Sequence, residues 1–300
     1  MAKGSLSGVR KGKKGDSVYY KIAGSNNKDK QGERQYIGEV TNPKTDAQIE
    51  QRMKMTPAVN FYRALKDDVL DHSFQGVKYG ARSHSEFMRL AMLQPLGTLP
   101  YVPKGYITLC PAPYIISKGS LADIKVVGIN EDVIASTLNL QFTATLSDND
   151  TFETFVEKML ASNFTLLKGD QLTFIVITDD EGITKQTITR LVLDKNKYPA
   201  NETWLNVLDS LGLWMDTKGW KNFDNFHPTK FAAAVIVSRP NAAKTNGAVS
   251  WLRSTTQLYV APTWMATFQT QAKYDEAVNS YKTKGASPTS DWYLNDGTLG

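Results

Sequence analysis

The sequence predicts an α+β fold in which an antiparallel β-sandwich body carries a small helical N-terminal unit, an inserted helix, a C-terminal helix and extended terminal arms. Three features of the 300 residues point to it. Residues 43–95 hold apolar stripes at helical spacing behind capping signals. Residues 99–262 break into six or seven short apolar runs parted by Gly, Pro, Asn and Asp, as in antiparallel sheet structures. Both ends are polar stretches of Gly, Lys, Ser and Asn spaced around a few aromatic side chains. The divisions are therefore 1–42, a basic glycine-rich extended arm; 43–98, the helical unit; 99–262, the sandwich with its inserted helix; and 263–300, a helix and tail.

In the arm, SVYYKIAG and RQYIGEV read as two extended segments around SNNKDKQGE, where Gly24, Asn26, Asn27, Asp29 and Gly32 tolerate turn conformations. A two-stranded ribbon is marginal alone in water, so the arm is expected to order against another surface. Glycines 4, 8, 12 and 15 permit close backbone approach. They do not make a phosphate loop, because Lys14 follows Gly12-Lys13 where Ser or Thr is needed, and Ser7 stands where the loop needs its first Gly.

Thr45 and Gln48 form a capping box ahead of Ile49 and Met53. Thr56-Pro57 either kinks this helix or, as the preferred reading, caps a second one with proline at its first position. Val59, Tyr62, Leu65 and Val69 then make a stripe of period 3.6. Ser83 with Glu86 is a second box, opening a helix through Phe87, Leu90, Ala91 and Leu93 that stops before Gln94-Pro95.

Beyond Leu99, prolines 100, 103, 111 and 113 exclude regular helix, and YITLC and PYIISKGSLADIKVV read as short strands. TLNLQFTATL (137–146) alternates Leu138, Leu140, Phe142 and Ala144 inward as a further strand. A capping box of Asp150 and Glu153 opens the inserted helix, with Phe152, Phe155, Val156, Met159 and Leu160. QLTFIVIT joins TKQTITRLVL as a hairpin, and FAAAVIVS with SWLRSTTQLYV adds a second pair. This set of strands is what suggests an immunoglobulin-like sandwich. In the region 201–227, Trp204, Trp214 and Trp220 offer flat faces to a sugar or lipid, but packing into the core is the preferred reading. The last helix, near 263–283, sets Trp264, Phe268, Ala272, Ala277 and Tyr281 on one side, and the tail DWYLNDGTLG repeats the arm's pattern around Trp292 and Tyr293.

Composition is that of a folded protein, 41% hydrophobic and 22% charged, which excludes wholesale disorder. The charge of +5 is uneven. Residues 1–35 hold nine Lys and Arg against three acidic residues, or +6, leaving −1 for the other 265. Arg10, Lys11, Lys13 and Lys14 are the candidates for contact with nucleic-acid phosphates, and Tyr19 and Tyr20 for stacking on bases. The other readings of the arm are a solubilising tail and a protein contact through Tyr19, Tyr20, Tyr36 and Ile37, matched at the far end by Trp292 and Tyr293.

No reaction is legible. Cys110 is the one cysteine, so no internal disulfide forms, and it sits between Leu109 and Pro111 as a buried, inert thiol. His72, His84 and His227 lack metal-site spacing. Asp67 with Asp68, and Asp179 with Asp180 and Glu181, read as solvated acidic clusters, the latter a weak candidate for Ca²⁺. Asp71-His72 is half of an acid–base pair with no nucleophile signature beside it. The expectation is therefore no enzyme, no cofactor and no metal. Neither an export signal nor a membrane span is present, so synthesis in a cytoplasm is expected and the sequons at Asn149, Asn163 and Asn201 carry no weight.

The order of a glycine-rich basic start, SVYYKIAG, TNPKTDAQIEQRMKM, VNFYRAL, HSEFMRLAM and PYIISKGSL resembles an uncharacterised domain family of Bacteroides-group bacteria and their phages. The motif is Asn42, Pro43, Lys44, Thr45, Gln48, Gln51 and Arg52, followed by the Ser117–Leu121 strand, and the resemblance covers about residues 1–125. It implies a phage or prophage structural role and supplies no site; together with the two polar arms, which can pair with neighbouring subunits by strand addition, it leads to the expectation of a non-enzymatic structural component of a phage virion, an auxiliary capsid, decoration or connector protein. Its partners would be major capsid or connector proteins, in a homo-oligomer or other repeated assembly, without a membrane. The alternative is a nucleic-acid-binding protein that uses the basic arm.

Overall fold

The computed structural model describes residues 3–4, 10–14, 17–21, 31–35 and 45–283, the last range without 79, 181–182, 200, 223–228 and 242–249. The chain divides into two units, Met1–Thr45 and Asp46–Gly300. In the first, β1 (Lys3–Gly4), β2 (Arg10–Lys14), β3 (Ser17–Lys21) and β4 (Gln31–Gln35) pair antiparallel in chain order. β3 and β4 register from Ser17 opposite Gln35 to Lys21 opposite Gln31, so Gln31, Gly32 and Glu33 of the expected turn stretch SNNKDKQGE are strand residues, Gly32 standing opposite Tyr20, and the second strand begins earlier than RQYIGEV implied.

The second unit opens with α1 (Asp46–Leu65), which runs through Pro57 without ending, the first of the two readings of Thr56-Pro57. Proline removes one helical N–H. The helix holds because Thr56 Oγ1 donates back to Arg52 O (3.3 Å) and lies 2.7 Å from Tyr281 Oη, while Ile49 and Met53 pack against Ala277 and Tyr281. Next, α2 (Ala81–Met92) starts earlier than the Ser83 box implied: its N-cap is Gly80, at φ 71°, and Ser83 Oγ instead donates to Asp71 O at 2.9 Å.

β5 (Ile115–Ser117), β6 (Val126–Asn130) and β7 (Val133–Ser136) follow. The expected strands at YITLC and at 137–146 do not form; residues 141–145 are a 3₁₀ turn. Leu138, Leu140 and Phe142 are nevertheless buried. The backbone of Asn139 is satisfied by one side chain, Asn163, whose Oδ1 accepts from Asn139 N (2.8 Å) and whose Nδ2 donates to Asn139 O (3.0 Å). A neighbouring strand has nothing left to pair with there. α3 (Phe152–Ser162) is capped by Thr151, one residue after the expected Asp150, which accepts from Ser147 N instead.

β8 (Gln171–Asp180) and β9 (Ile183–Val192) form the expected hairpin, ten residues against ten. Then come α4 (Trp204–Ser210), β10 (Leu213–Met215), β11 (Trp220–Asn222), β12 (Phe231–Asn241), β13 (Ser250–Arg253), β14 (Thr256–Gln257) and β15 (Tyr259–Val260). The expected single C-terminal helix is two, α5 (Pro262–Phe268) and α6 (Gln271–Lys282), divided where Thr270 caps the second through Lys273 N.

The fold is α+β. One antiparallel sheet runs β10-β11-β7-β6, a second runs β13-β12-β8-β9 with β15 also on β12, and β14 pairs with β5. The sheets touch where Phe174 of β8 meets Trp220 of β11, ring centroids 4.8 Å apart. The α1–α2 pair shares the main core, Phe61 and Phe87 packing on Tyr114, 5.0 and 5.4 Å away, in the same cluster that contains Phe174, Val235, Phe155 and Trp204, while α1 and α6 also bury a smaller cluster of Ile49, Met53, Ala277 and Tyr281 between them.

Candidate functional site

The Ser117–Leu121 stretch acts as a staple. Ser117 is fully buried, with Oγ 3.0 Å from Ser73 O and 2.7 Å from Ser254 O. Lys118 N donates to Ser73 O and Lys118 O accepts from Gln75 N, so the segment pairs with the loop that follows α1. Gly119 meets β13 without a side chain: an added Cβ would lie 2.1 Å from Arg253 O. Leu121 N donates to that same oxygen at 2.9 Å. Gln75 Oε1 receives Ser120 N and Arg253 N, both at 3.1 Å. Lys118 Nζ and Arg89 also reach Glu86, and these charge-assisted bonds lower the Glu86 carboxyl to about 2.

The loop so held covers the polar end of the larger sheet. Antiparallel register puts directly paired residues on one face. Here Arg190 stands opposite Thr173, which is opposite Ile236, and in the next row of that face Gln171 is opposite Ser238, which is opposite Arg253. Between this face and residues 68–78 lies a cleft of about 860 Å³. Arg190 Nη2 donates to Asp68 O at 2.5 Å and Arg253 Nε to His72 O at 3.1 Å, tying both guanidinium groups to the loop backbone. Arg253 also lies over the Trp251 ring, 5.2 Å from its centroid, and bonds Ser238 Oγ. Asp170, fully buried beneath, braces β12 through two 2.7 Å bonds from Arg239.

At the head of the loop, Tyr62 donates to Asp71, and burial first, then that carboxylate, raises the Tyr62 phenol well above its ordinary value. Asp71 of the Asp71-His72 candidate is thus engaged in holding the loop. Asp67 and Asp68 are exposed, and Asp179 pairs with Lys230 at 2.6 Å. Among the described residues no group of three His, Cys, Asp or Glu could hold a metal ion. Cys110 is buried, its Sγ 3.7 Å from Tyr106 Oη. Trp204 and Trp220 belong to the core, and Trp214 is 39% exposed.

The arm candidates Arg10, Lys11, Lys13 and Lys14 lie on β2, and Tyr19 and Tyr20 on β3, with side chains outside the described residues; Tyr36, Ile37, Trp292 and Tyr293 lie outside them altogether. Of the Asn42 motif, Gln48, Gln51 and Arg52 lie on α1, and Arg52 O accepts from Thr56 and Tyr281. The structure brings together a set that the sequence reading did not, Arg190, Ser238, Arg253 and Trp251. Its signal was present as polar residues interrupting apolar strands.

Comparisons with protein-family models, with curated proteins and with solved structures found no match. No described helix is long and apolar enough to cross a membrane.

Proposed function

We propose that this protein is a non-enzymatic structural component of a phage virion, of the auxiliary capsid, decoration or connector kind. In this reading an immunoglobulin-like, two-sheet body carries terminal segments that bind neighbouring subunits. The observation that carries it is the division of the chain: Met1–Thr45 is a unit of its own, built as a four-stranded antiparallel sheet. Among the described residues its outer strands β1 and β4 each pair on one side only, and such edges add strands from another chain. Tethering the unit to a body raises the effective concentration of its contacts, which suits a repeated assembly. The resemblance over residues 1–125 supports the phage setting, and the body's net charge of −1 leaves phosphate contact to the arm.

The second reading is nucleic-acid binding by that arm, favoured by the +6 of residues 1–35. Light scattering separates the two. The full chain is compared with Lys11→Gln/Lys13→Gln/Lys14→Gln and with Tyr19→Ser/Tyr20→Ser, at low and high salt, with and without DNA. Assembly without DNA that the tyrosine variant loses and the lysine variant keeps is the expected result. A monomer that binds DNA, with affinity collapsing in salt and lost in the lysine variant, replaces the virion reading with the second.

A further inference from the structure

The cleft beneath the 68–78 loop has a lining that assembly through β-strand edges does not use. Arg190, Arg253 and Lys78 line it with Asp68 as the one carboxylate, although residues 36–300 carry a net charge of −1 in all. The other acids of the loop are engaged: Asp67 lies 3.6 Å from Lys66, and Asp71 accepts from Tyr62. Elsewhere Arg89 meets Glu86 and Arg239 meets Asp170. Arg190 instead bonds a neutral carbonyl, Asp68 O, which cancels none of its charge, and among the described residues neither it nor Lys78 forms an ion pair. The cleft therefore concentrates positive charge that the fold does not use.

The floor adds hydroxyl donors. Ser238 and Thr173 are buried there. The Ser238 hydroxyl accepts from Arg253 and the Thr173 hydroxyl from Gln171 Nε2 at 3.3 Å, and among the described residues neither gives its own proton to an acceptor. Both protons are left for a group that enters the cleft. Register brings them together: Gln171 is opposite Ser238 and two residues from Thr173, so the two hydroxyls stand on diagonal neighbours, roughly 7–8 Å apart at Cα on one face. One tetrahedral anion reaches both through different oxygens, at about 2.7–2.8 Å from each. Arg190, directly opposite Thr173, and Lys78, from the loop above, supply the charge. Donors arriving from two floor strands, a neighbouring strand and a loop match the three terminal oxygens and near-double charge of a phosphate monoester.

A volume near 860 Å³ exceeds a phosphate and lies in the range of sites for whole small molecules. In the row after Ser238, Trp251 stands opposite Pro240. Arg253 lies over the Trp251 ring, 5.2 Å from its centroid, with its Nε bonded to His72 O at 3.1 Å, so a guanidinium and an indole plane are held together at that end of the cleft. Nucleic-acid bases stack on planes of both kinds. We infer that the cleft binds a nucleoside monophosphate, its phosphate taken by Ser238, Thr173, Arg190 and Lys78 and its base packed at Trp251 and Arg253. The inference rests on the cleft alone and stands whether or not the protein belongs to a virion.

Isothermal titration of the full chain with adenosine monophosphate, ribose 5-phosphate and inorganic phosphate tests it. Adenosine monophosphate is expected to bind at least fivefold more tightly than ribose 5-phosphate, since base stacking on an aromatic side chain supplies that much. Arg190→Gln/Lys78→Gln should weaken it at least tenfold; both residues are exposed, so the substitutions spare the core. Thr173→Val, checked for folding by circular dichroism, should weaken it several-fold, and Trp251→Ala should bring it down to the affinity of ribose 5-phosphate. Arg63→Gln/Arg82→Gln, which removes two exposed charges outside the cleft, should leave it unchanged. Absence of binding, equal affinity for ribose 5-phosphate, or affinity unmoved by Arg190→Gln/Lys78→Gln each overturns the inference. Binding that survives those changes and disappears in Lys11→Gln/Lys13→Gln/Lys14→Gln assigns the phosphate contact to the arm, and overturns it too.

Discussion

Gly119→Ala isolates the staple between residues 117–121 and β13. The new Cβ would lie 2.1 Å from Arg253 O, 2.6 Å from its carbonyl carbon and 2.7 Å from Gln75 Oε1. The first two atoms are backbone, held by Leu121 N at 2.9 Å and by the pairing of Arg253 with Ser238, so the strand has to move. Overpacking of this kind costs about 1–3 kcal/mol, and the displaced strand weakens the Leu121 and Thr255 hydrogen bonds at about 1 kcal/mol each. Alanine restricts the unfolded chain and offsets roughly 0.4–1 kcal/mol of that. The net loss is about 3 kcal/mol, which in a unit of this size lowers Tm by roughly 6–12 °C. Gly97→Ala serves as the control, since nothing lies within 4 Å of its added Cβ, and it is expected within about 0.5 kcal/mol of wild type. Circular-dichroism melts of both variants decide the matter. Gly119→Ala melting within about 1 °C of wild type, or the control falling equally, refutes the reasoning.

Arg239→Met leaves the fully buried Asp170 carboxylate with the Leu167 N–H as its one remaining partner among the described residues. Because the arginine side chain is 23% exposed, the expected loss is about 3 kcal/mol, at the low end for a broken buried pair; urea denaturation should show it, and a loss below about 1 kcal/mol counts against the brace. Glu86, held at about 2 by Arg89 and Lys118, has its folded value below its unfolded one near 4.3. Its contribution is therefore full above about pH 5 and disappears as pH falls toward 2. The stability gap between wild type and Glu86→Gln should close across that window, and a gap constant from pH 6 to pH 2 would show that the ion pairs contribute nothing.

What the sequence made legible is what local physics decides. The apolar run of β12 and the paired runs of β8 and β9 have one reading each, and the stripe through Tyr62, Leu65 and Val69 is buried as a helix face and its exit. Errors arose where a side chain did a backbone's work. Asn163 took the place of a partner strand at Asn139, and Ser83 donated across to Asp71 when its spacing to Glu86 suggested a cap. Residues 137–142 kept the alternate burial of a strand without being one, because alternation records which side chains reach the core and says nothing of pairing; the alternation fails after them, where Thr143 is buried and Ala144, expected inward, is exposed. The cleft was illegible for a different reason. Arg190, Ser238 and Arg253 are ordinary polar residues until the strand register aligns them, and a shift of one residue in any of three pairings would scatter them to opposite faces.

The staple also fixes an order of events in synthesis. Ser117 closes on Ser254, 137 residues later in the chain. At elongation rates of about 5–20 residues per second, the first half of the closure waits roughly 7–27 s for the second. For most of that interval, until Phe231–Asn241 is made, the α1–α2 pair and its aromatic cluster stand without β12, which supplies the centre of the larger sheet. The unit thus completes its fold only after Ser254 has been made, with apolar surface from Phe61, Phe87 and Tyr114 uncovered until Phe231–Val237 arrives to cover the core they share.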